Sequence, residues 1–81
     1  SNLHLDIDGH TDNIGTEQDN LMLSVARAET VKSFLLSCGV AEERMTTQGH
    51  GETRPKVNND SEQGRSINRR TEFRWVPARL D

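Results

Sequence analysis

The sequence predicts an α+β domain, a mixed sheet of three strands with one long helix on a face. Three observations carry this. Residues 3 to 10 alternate apolar and polar side chains, residues 20 to 38 repeat apolar side chains at helical spacing, and residues 68 to 76 alternate again. Strand, helix and strand in that order imply a crossover with parallel pairing of the first two strands.

In the first strand Leu3, Leu5 and Ile7 share one face, while His4, Asp6, Asp8 and His10 share the other. The strand is therefore half buried, with a solvated polar face. Residues 11–19 hold Asn13, Gly15, Thr16 and Asp19 without an apolar period, and read as a loop leaving the strand's C-terminal end. Asn20 is the expected N-cap of the helix. Leu21, Val25, Ala28, Val31 and Leu35 form its stripe, widened by Leu23, Ala26 and Phe34. Gly39 stops the helix in a left-handed conformation. A helix of this extent is about 28 Å long, enough to cover the Leu3, Leu5, Ile7 face.

Residues 44 to 49 form a second strand, with Thr46 and Thr47 favouring extended backbone. Residues 51 to 63 contain Pro55 and the run Asn58-Asn59-Asp60, and read as a long loop. Ser61 caps a short helical turn that reaches Arg65. The third strand places Arg69, Thr71, Phe73 and Trp75 on one face and Arg70, Glu72, Arg74 and Val76 on the other. One domain spans 1–81, with 77–81 as a frayed tail.

Bulk properties narrow the function classes. A chain of 81 residues buries only roughly 60% of its unfolded surface, so the core is thin. Ten basic against thirteen acidic residues give a net charge of −3, which disfavours nucleic acid as a partner. Cys38 is the single cysteine, so no intrachain disulfide forms, and beside Gly39 it reads as a small packed hydrophobe. No apolar run approaches the roughly 18 residues of a transmembrane helix. The chain begins in mid-strand, as expected of a piece of a longer protein.

Three constellations are candidates for chemistry. His4, Asp6, Asp8, His10 and Asp12 alternate along one strand face, and His with carboxylate can bind a transition metal. Only neighbours on such a face are close enough to chelate, so solvated polarity is the simpler reading. Asp12 at the strand end and Arg27 on the returning helix can reach one crevice. Facing each other they form a salt bridge; flanking a gap they hold a zwitterion, with the ammonium on Asp12 and the carboxylate on Arg27. Finally, Arg65, Arg69, Arg70 and Arg74 crowd the C-terminal quarter, where pairing with Asp6 or Asp8 across the sheet is expected. Gly49-His50-Gly51-Glu52 lacks the Lys and the following helix of a phosphate loop.

The blocks Gly9-His10-Thr11-Asp12-Asn13-Ile14-Gly15-Thr16, Asn20-Leu21-Met22-Leu23-Ser24-Val25-Ala26-Arg27-Ala28, Gln48-Gly49-His50-Gly51-Glu52 and Asn68-Arg69-Arg70, in this order, resemble the OmpA-like peptidoglycan-binding domain. The family includes the C-terminal domain of outer-membrane protein A, the peptidoglycan-associated lipoprotein and MotB. The resemblance covers residues 5 to 76. It implies non-covalent binding of peptidoglycan through diaminopimelate of the peptide stem, with Asp12 taking the ammonium and Arg27 the carboxylate. Thr11, Asn20 and Leu23 are implied to shape the pocket.

The resemblance also implies a binding protein and not an enzyme, with no metal and no cofactor. Its expected place is the periplasm of a diderm bacterium, associated with the outer membrane through a part outside this chain. Two features depart from the family pattern. The family's first strand and helix are lacking, which leaves a sheet edge open and makes a homodimer a possible partner arrangement. Thr71 stands where an aliphatic residue is usual, which thins the core. The alternatives are a metal-dependent cell-wall hydrolase built on His10, Asp12 and His50, and a purely structural oligomerisation module.

Overall fold

The computed structural model describes residues 3–77. The strand β1 (Leu3–Gly9) leads through a loop into the helix α1 (Glu17–Ser37). A 3-10 turn at Glu42–Arg44 precedes β2 (Met45–Gly49), and a second helix, α2 (Glu62–Asn68), precedes β3 (Thr71–Pro77). The sheet order is β2-β1-β3, with β1 and β2 parallel and β1 and β3 antiparallel. This is the mixed α+β architecture expected, with β1 as the central strand.

The helix starts earlier than expected. Thr16 is the N-cap, its hydroxyl accepting from the Asp19 backbone N–H at 3.0 Å, and Glu17 and Asp19 place negative charge in the first turn. Asn20 also has a capping side chain, but it lies one turn inside, where its amide serves the preceding loop. Gly39 ends the helix as expected, with φ of 97°. Cys38 is exposed, not packed.

The face of α1 that meets the sheet is rotated from the expected stripe. Asn20, Ser24 and Ala28 are buried, Val31 and Leu35 pack against the core, and Leu21, Leu23, Val25 and Phe34 stand exposed. The cause lies on the sheet. Gly9 and Gly49 sit side by side at the ends of β1 and β2, and lacking Cβ atoms they let the helix backbone come down directly on them. A Cβ built on Gly9 would overlap the Ser24 carbonyl oxygen, and one on Gly49 would lie 2.5 Å from Ser24 Oγ. Only a small residue fits at Ser24. Further along α1, Ala28 closes over Leu5, Ile7 and Met45, the rest of the fully buried core.

The C-terminal quarter is also rearranged. The short turn after Ser61 continues as α2 through Asn68, and Arg69 is its C-cap, so β3 begins only at Thr71. Arg69 and Arg70 therefore lie ahead of the strand, not on opposite faces of it. Pro77, assigned to the tail on sequence, is the last residue of β3, and residues 78–81 lie outside those described. Phe73 and Trp75 pair with Ile7 and Leu5 on the helix-side face but remain 54% and 58% exposed on the edge strand.

Asn68 holds the long loop. Its Oδ1 accepts from the backbone N–H groups of Lys56 and Val57 at 2.8 and 3.1 Å, and its Nδ2 donates to Val57 O and Asn59 Oδ1. The side chain is fully buried, so Asn68→Ala leaves several backbone groups without partners at roughly 1–3 kcal/mol each, not additive. We expect a loss of about 2–4 kcal/mol in urea unfolding.

Candidate functional site

The end of β1 runs straight into the site. Thr11 and Asp12 are buried, Asp12 at 8% exposure, because the Thr11 N–H is bound by the Gly51 carbonyl and the His10 N–H by the Arg70 carbonyl. Asp12 Oδ1 accepts from the Ile14 N–H at 3.0 Å, turning the chain away from the sheet. The Asn20 amide braces this turn. It donates to Asp12 O, Ile14 O and Glu52 Oε1 at 3.3, 3.0 and 3.1 Å. Thr11 Oγ1 donates to Asp12 O. Thr11, Asp12 and Asn20 are thus brought together, and the glycine stretch at residues 49–51 supplies the platform beneath them. Gly51 N–H donates to Ser24 Oγ at 2.9 Å.

The carboxylate of Asp12 faces Arg69. Arg69 Nη1 donates to Asp12 Oδ2 at 2.8 Å, and Arg69 Nη2 donates to Glu62 Oε2 at 2.7 Å. The salt bridge considered between Asp12 and Arg27 is not formed, whereas the expected pairing of an arginine with Asp6 or Asp8 is made, though not by Arg69. Arg74 is the arginine that meets Asp6, at 3.3 Å, while Arg70 binds Glu72 at 2.6 Å. The Arg69 hydrogen bond holds the Asp12 carboxyl below its usual range, against the opposing effect of burial; the Ile14 N–H adds to the lowering. Glu62 is lowered by the same guanidinium, and Arg69 is raised by Glu62 and Asp12. Asp12 is therefore ionised at neutral pH.

Arg27 has no hydrogen bond or ion pair among the described residues. It lines an open groove of about 400 Å³ between α1 and the start of β3, together with Leu23, Ala26, Thr30, Val31, Arg69, Arg70 and Thr71. Leu23 and Arg27 stand one turn apart on α1, so their side chains share one wall. Arg69 forms the opposite wall, and behind it lies Asp12. The groove is lined by three arginines, and Asp12 adjoins it only through its bond to Arg69. The contacts of Arg69 with Asp12 and Glu62 are not apparent from sequence spacing, although the Asn68-Arg69-Arg70 block marks the region. Arg69 reaches Asp12 across 57 residues of sequence.

His10 departs from the solvated polar face expected for β1. It is 2% exposed, stacks on His50 with ring centroids 5.1 Å apart, and neither ring nitrogen has a hydrogen-bond partner among the described residues. His50 Nε2 donates to Asp8 Oδ1 at 2.8 Å. The His10, Asp12 and His50 set of the hydrolase alternative is not assembled as a ligand sphere. Among the described residues no three His, Cys, Asp or Glu side chains are placed to hold a metal.

Burial lowers the His10 pKa, as do the nearby Arg70 and His50; Glu72 and Asp8 oppose this. A histidine whose pKa is depressed on folding binds fewer protons folded than unfolded, so stability falls as pH drops below about 6.5. Asp12, Glu62 and Glu72, all lowered by arginine partners, add a second loss below about pH 4.5. We expect urea midpoints to decline in these two stages, with the first absent in His10→Gln.

Residues 1–69 match the OmpA family. The chain is 46% identical over 69 residues to outer membrane porin F of Pseudomonas fluorescens, covering 85% of this chain and 21% of that protein. It is 42% identical over 67 residues to the peptidoglycan-binding protein ArfA of Mycobacterium tuberculosis, covering 83% of this chain and 21% of that protein. The crystal structure of the peptidoglycan-associated lipoprotein from Burkholderia pseudomallei superposes with a TM-score of 0.89 at 32% identity, over 91% of this chain and 63% of that one. The chain thus spans only part of the relatives it matches. With the family match running from the start of β1 through Arg69, and the fold shared with a solved relative, the chain belongs to the OmpA family.

Proposed function

We propose that residues 1–81 act as one domain that binds peptidoglycan without cleaving it and so anchors an envelope protein to the cell wall. The bound group is the free end of a diaminopimelate in the peptide stem. Its carboxylate lies on the Arg27 guanidinium and its ammonium on Asp12, with Thr11 and Asn20 fixing the Asp12 turn and Leu23 packing against the ligand's methylene chain. The observation that carries this reading is Arg27, unpaired among the described residues, in an open groove whose other arginine, Arg69, binds the ionised Asp12. An arginine fork suits a carboxylate, and a carboxylate with unused lone pairs suits an ammonium.

The names of relatives support the partner, since one is a peptidoglycan-binding protein and another a peptidoglycan-associated lipoprotein. Outer membrane porin F among the relatives supports an envelope location. On this reading the domain works in the periplasm of a diderm bacterium, close to the outer membrane, and contacts a membrane only through a part of the protein outside this chain. Any homodimer would form through an open sheet edge, at β2 or at β3 beside the exposed Phe73 and Trp75. A monomeric mass in light scattering removes that element.

The test is retention on purified sacculi of diaminopimelate type against lysine type. Lysine lacks the carboxylate that Arg27 requires, so retention is expected on the first and not on the second. Equal retention on both would overturn the assignment.

A further inference from the structure

We propose that Glu62 is a positioning residue for ammonium recognition: by holding Arg69 it keeps Asp12 open to a ligand's cation. The inference rests on the reading above, that Asp12 receives an ammonium. Its origin is the way one guanidinium is divided between two carboxylates. Arg69 gives Glu62 its Nη2 at 2.7 Å and a weak Nη1 contact at 3.5 Å, and gives Asp12 a single Nη1 bond at 2.8 Å. Among the described residues Asp12 Oδ1 takes only the Ile14 N–H.

An ionised carboxylate has about four lone-pair sites, so Asp12 keeps roughly two for an incoming ammonium. An arginine with no second anchor would close on Asp12 as a bidentate fork and occupy them. Glu62 prevents that.

Charge counting points the same way. Arg65 Nε also approaches Glu62, at 3.4 Å. Asp12 and Glu62 together balance Arg69 and Arg65, whereas without Glu62 the cluster carries one net positive charge and repels a cation. Glu62 sits at the first position of α2, where Ser61 fixes the helix start by accepting from the Gly64 N–H. Its place beside Arg69 is thereby set by the local fold. Exposure of Glu62 lets salt screen the long-range part, so fork geometry contributes more than net charge.

The experiment uses a soluble disaccharide tripeptide muropeptide with a free diaminopimelate amine, and the same molecule N-acetylated at that amine. Titration calorimetry with the wild type should show at least about tenfold preference for the free amine. In Glu62→Gln the free-amine ligand should bind about three- to tenfold more weakly while the acetylated one is unchanged, which erases most of the preference. Adding Arg69→Gln to that variant should restore the preference, because Asp12 is then released.

An equal loss for both ligands in Glu62→Gln would make Glu62 merely structural and overturn the proposal. Persistence of the lost preference in the double variant would also overturn it. If Glu62→Gln binds both muropeptides as the wild type does, this inference fails while the peptidoglycan reading stands. If the wild type binds neither muropeptide, both fail together.

Discussion

Arg27→Ala is expected to lower affinity for a diaminopimelate muropeptide by about 10- to 150-fold, which is the worth of roughly 1.5–3 kcal/mol for hydrogen bonds to a charged group. The effect should appear in binding alone. Arg27 is half-buried and has no hydrogen bond or ion pair among the described residues, so its removal costs only some packing of its stem and the thermal midpoint should shift by no more than about 2–4 °C. Arg27→Lys keeps the charge but loses the planar fork, and should fall in between. An unaltered titration curve for Arg27→Ala would remove the carboxylate half of the site.

Arg27 is a cleaner probe than Asp12. Asp12→Ala strips the acceptor from the Ile14 N–H and releases Arg69, so lost binding and lost stability would be mixed in one measurement.

The largest stability effect is expected at Gly9. A methyl group there meets the Ser24 backbone carbonyl, and a helix backbone, unlike a flexible side-chain tip, cannot turn aside. The whole N-terminal half of α1 must lift from the sheet, which also pulls Ser24 Oγ from the Gly51 N–H. Overpacking of this kind costs about 3 kcal/mol or more. For a domain of this size that is a large share of a total of roughly 4–12 kcal/mol. Gly9→Ala should therefore melt about 12–20 °C lower than the wild type, by circular dichroism.

Gly39→Ala provides the contrast. No atom lies within 4 Å of a Cβ built there, so only its positive φ is strained, at about 1 kcal/mol. If the two variants melt alike, close helix-to-sheet contact at Gly9 is not what holds α1 in place.

Several parts of this molecule were legible in the residues themselves. Period-two alternation placed β1, helical spacing placed α1, and Gly39 marked its end, because these signals depend only on neighbours in sequence. Strand, helix and strand order implied the parallel pairing that Leu5 and Met45 make. The motif blocks pointed to Thr11, Asp12, Asn20, Leu23 and Arg27, and the first three do gather at the end of β1 while the last two line the groove beside it. Asn20, the N-cap expected from its residue type, lies inside the helix that Thr16 caps. Thr16 and Asn20 are both capping residue types, and only the loop folded over Asn20 decides between them.

Tertiary structure alone decided the rest. The buried stripe of α1 follows Ser24 and Ala28, not Leu21 and Val25, since two glycines on neighbouring strands set how close the helix comes, and that pairing exists only in the folded sheet. The stack of His10 on His50, and the burial of Asp8 and His10 at the end of a strand face that reads as solvated, involve a turn about 40 residues away in sequence. Which arginine holds Asp12 was likewise settled by α2 ending at Arg69 in front of the β1 loop. Local periodicity determines what an element is, whereas the partners of a charged side chain depend on which distant elements the fold brings within about 3 Å of it.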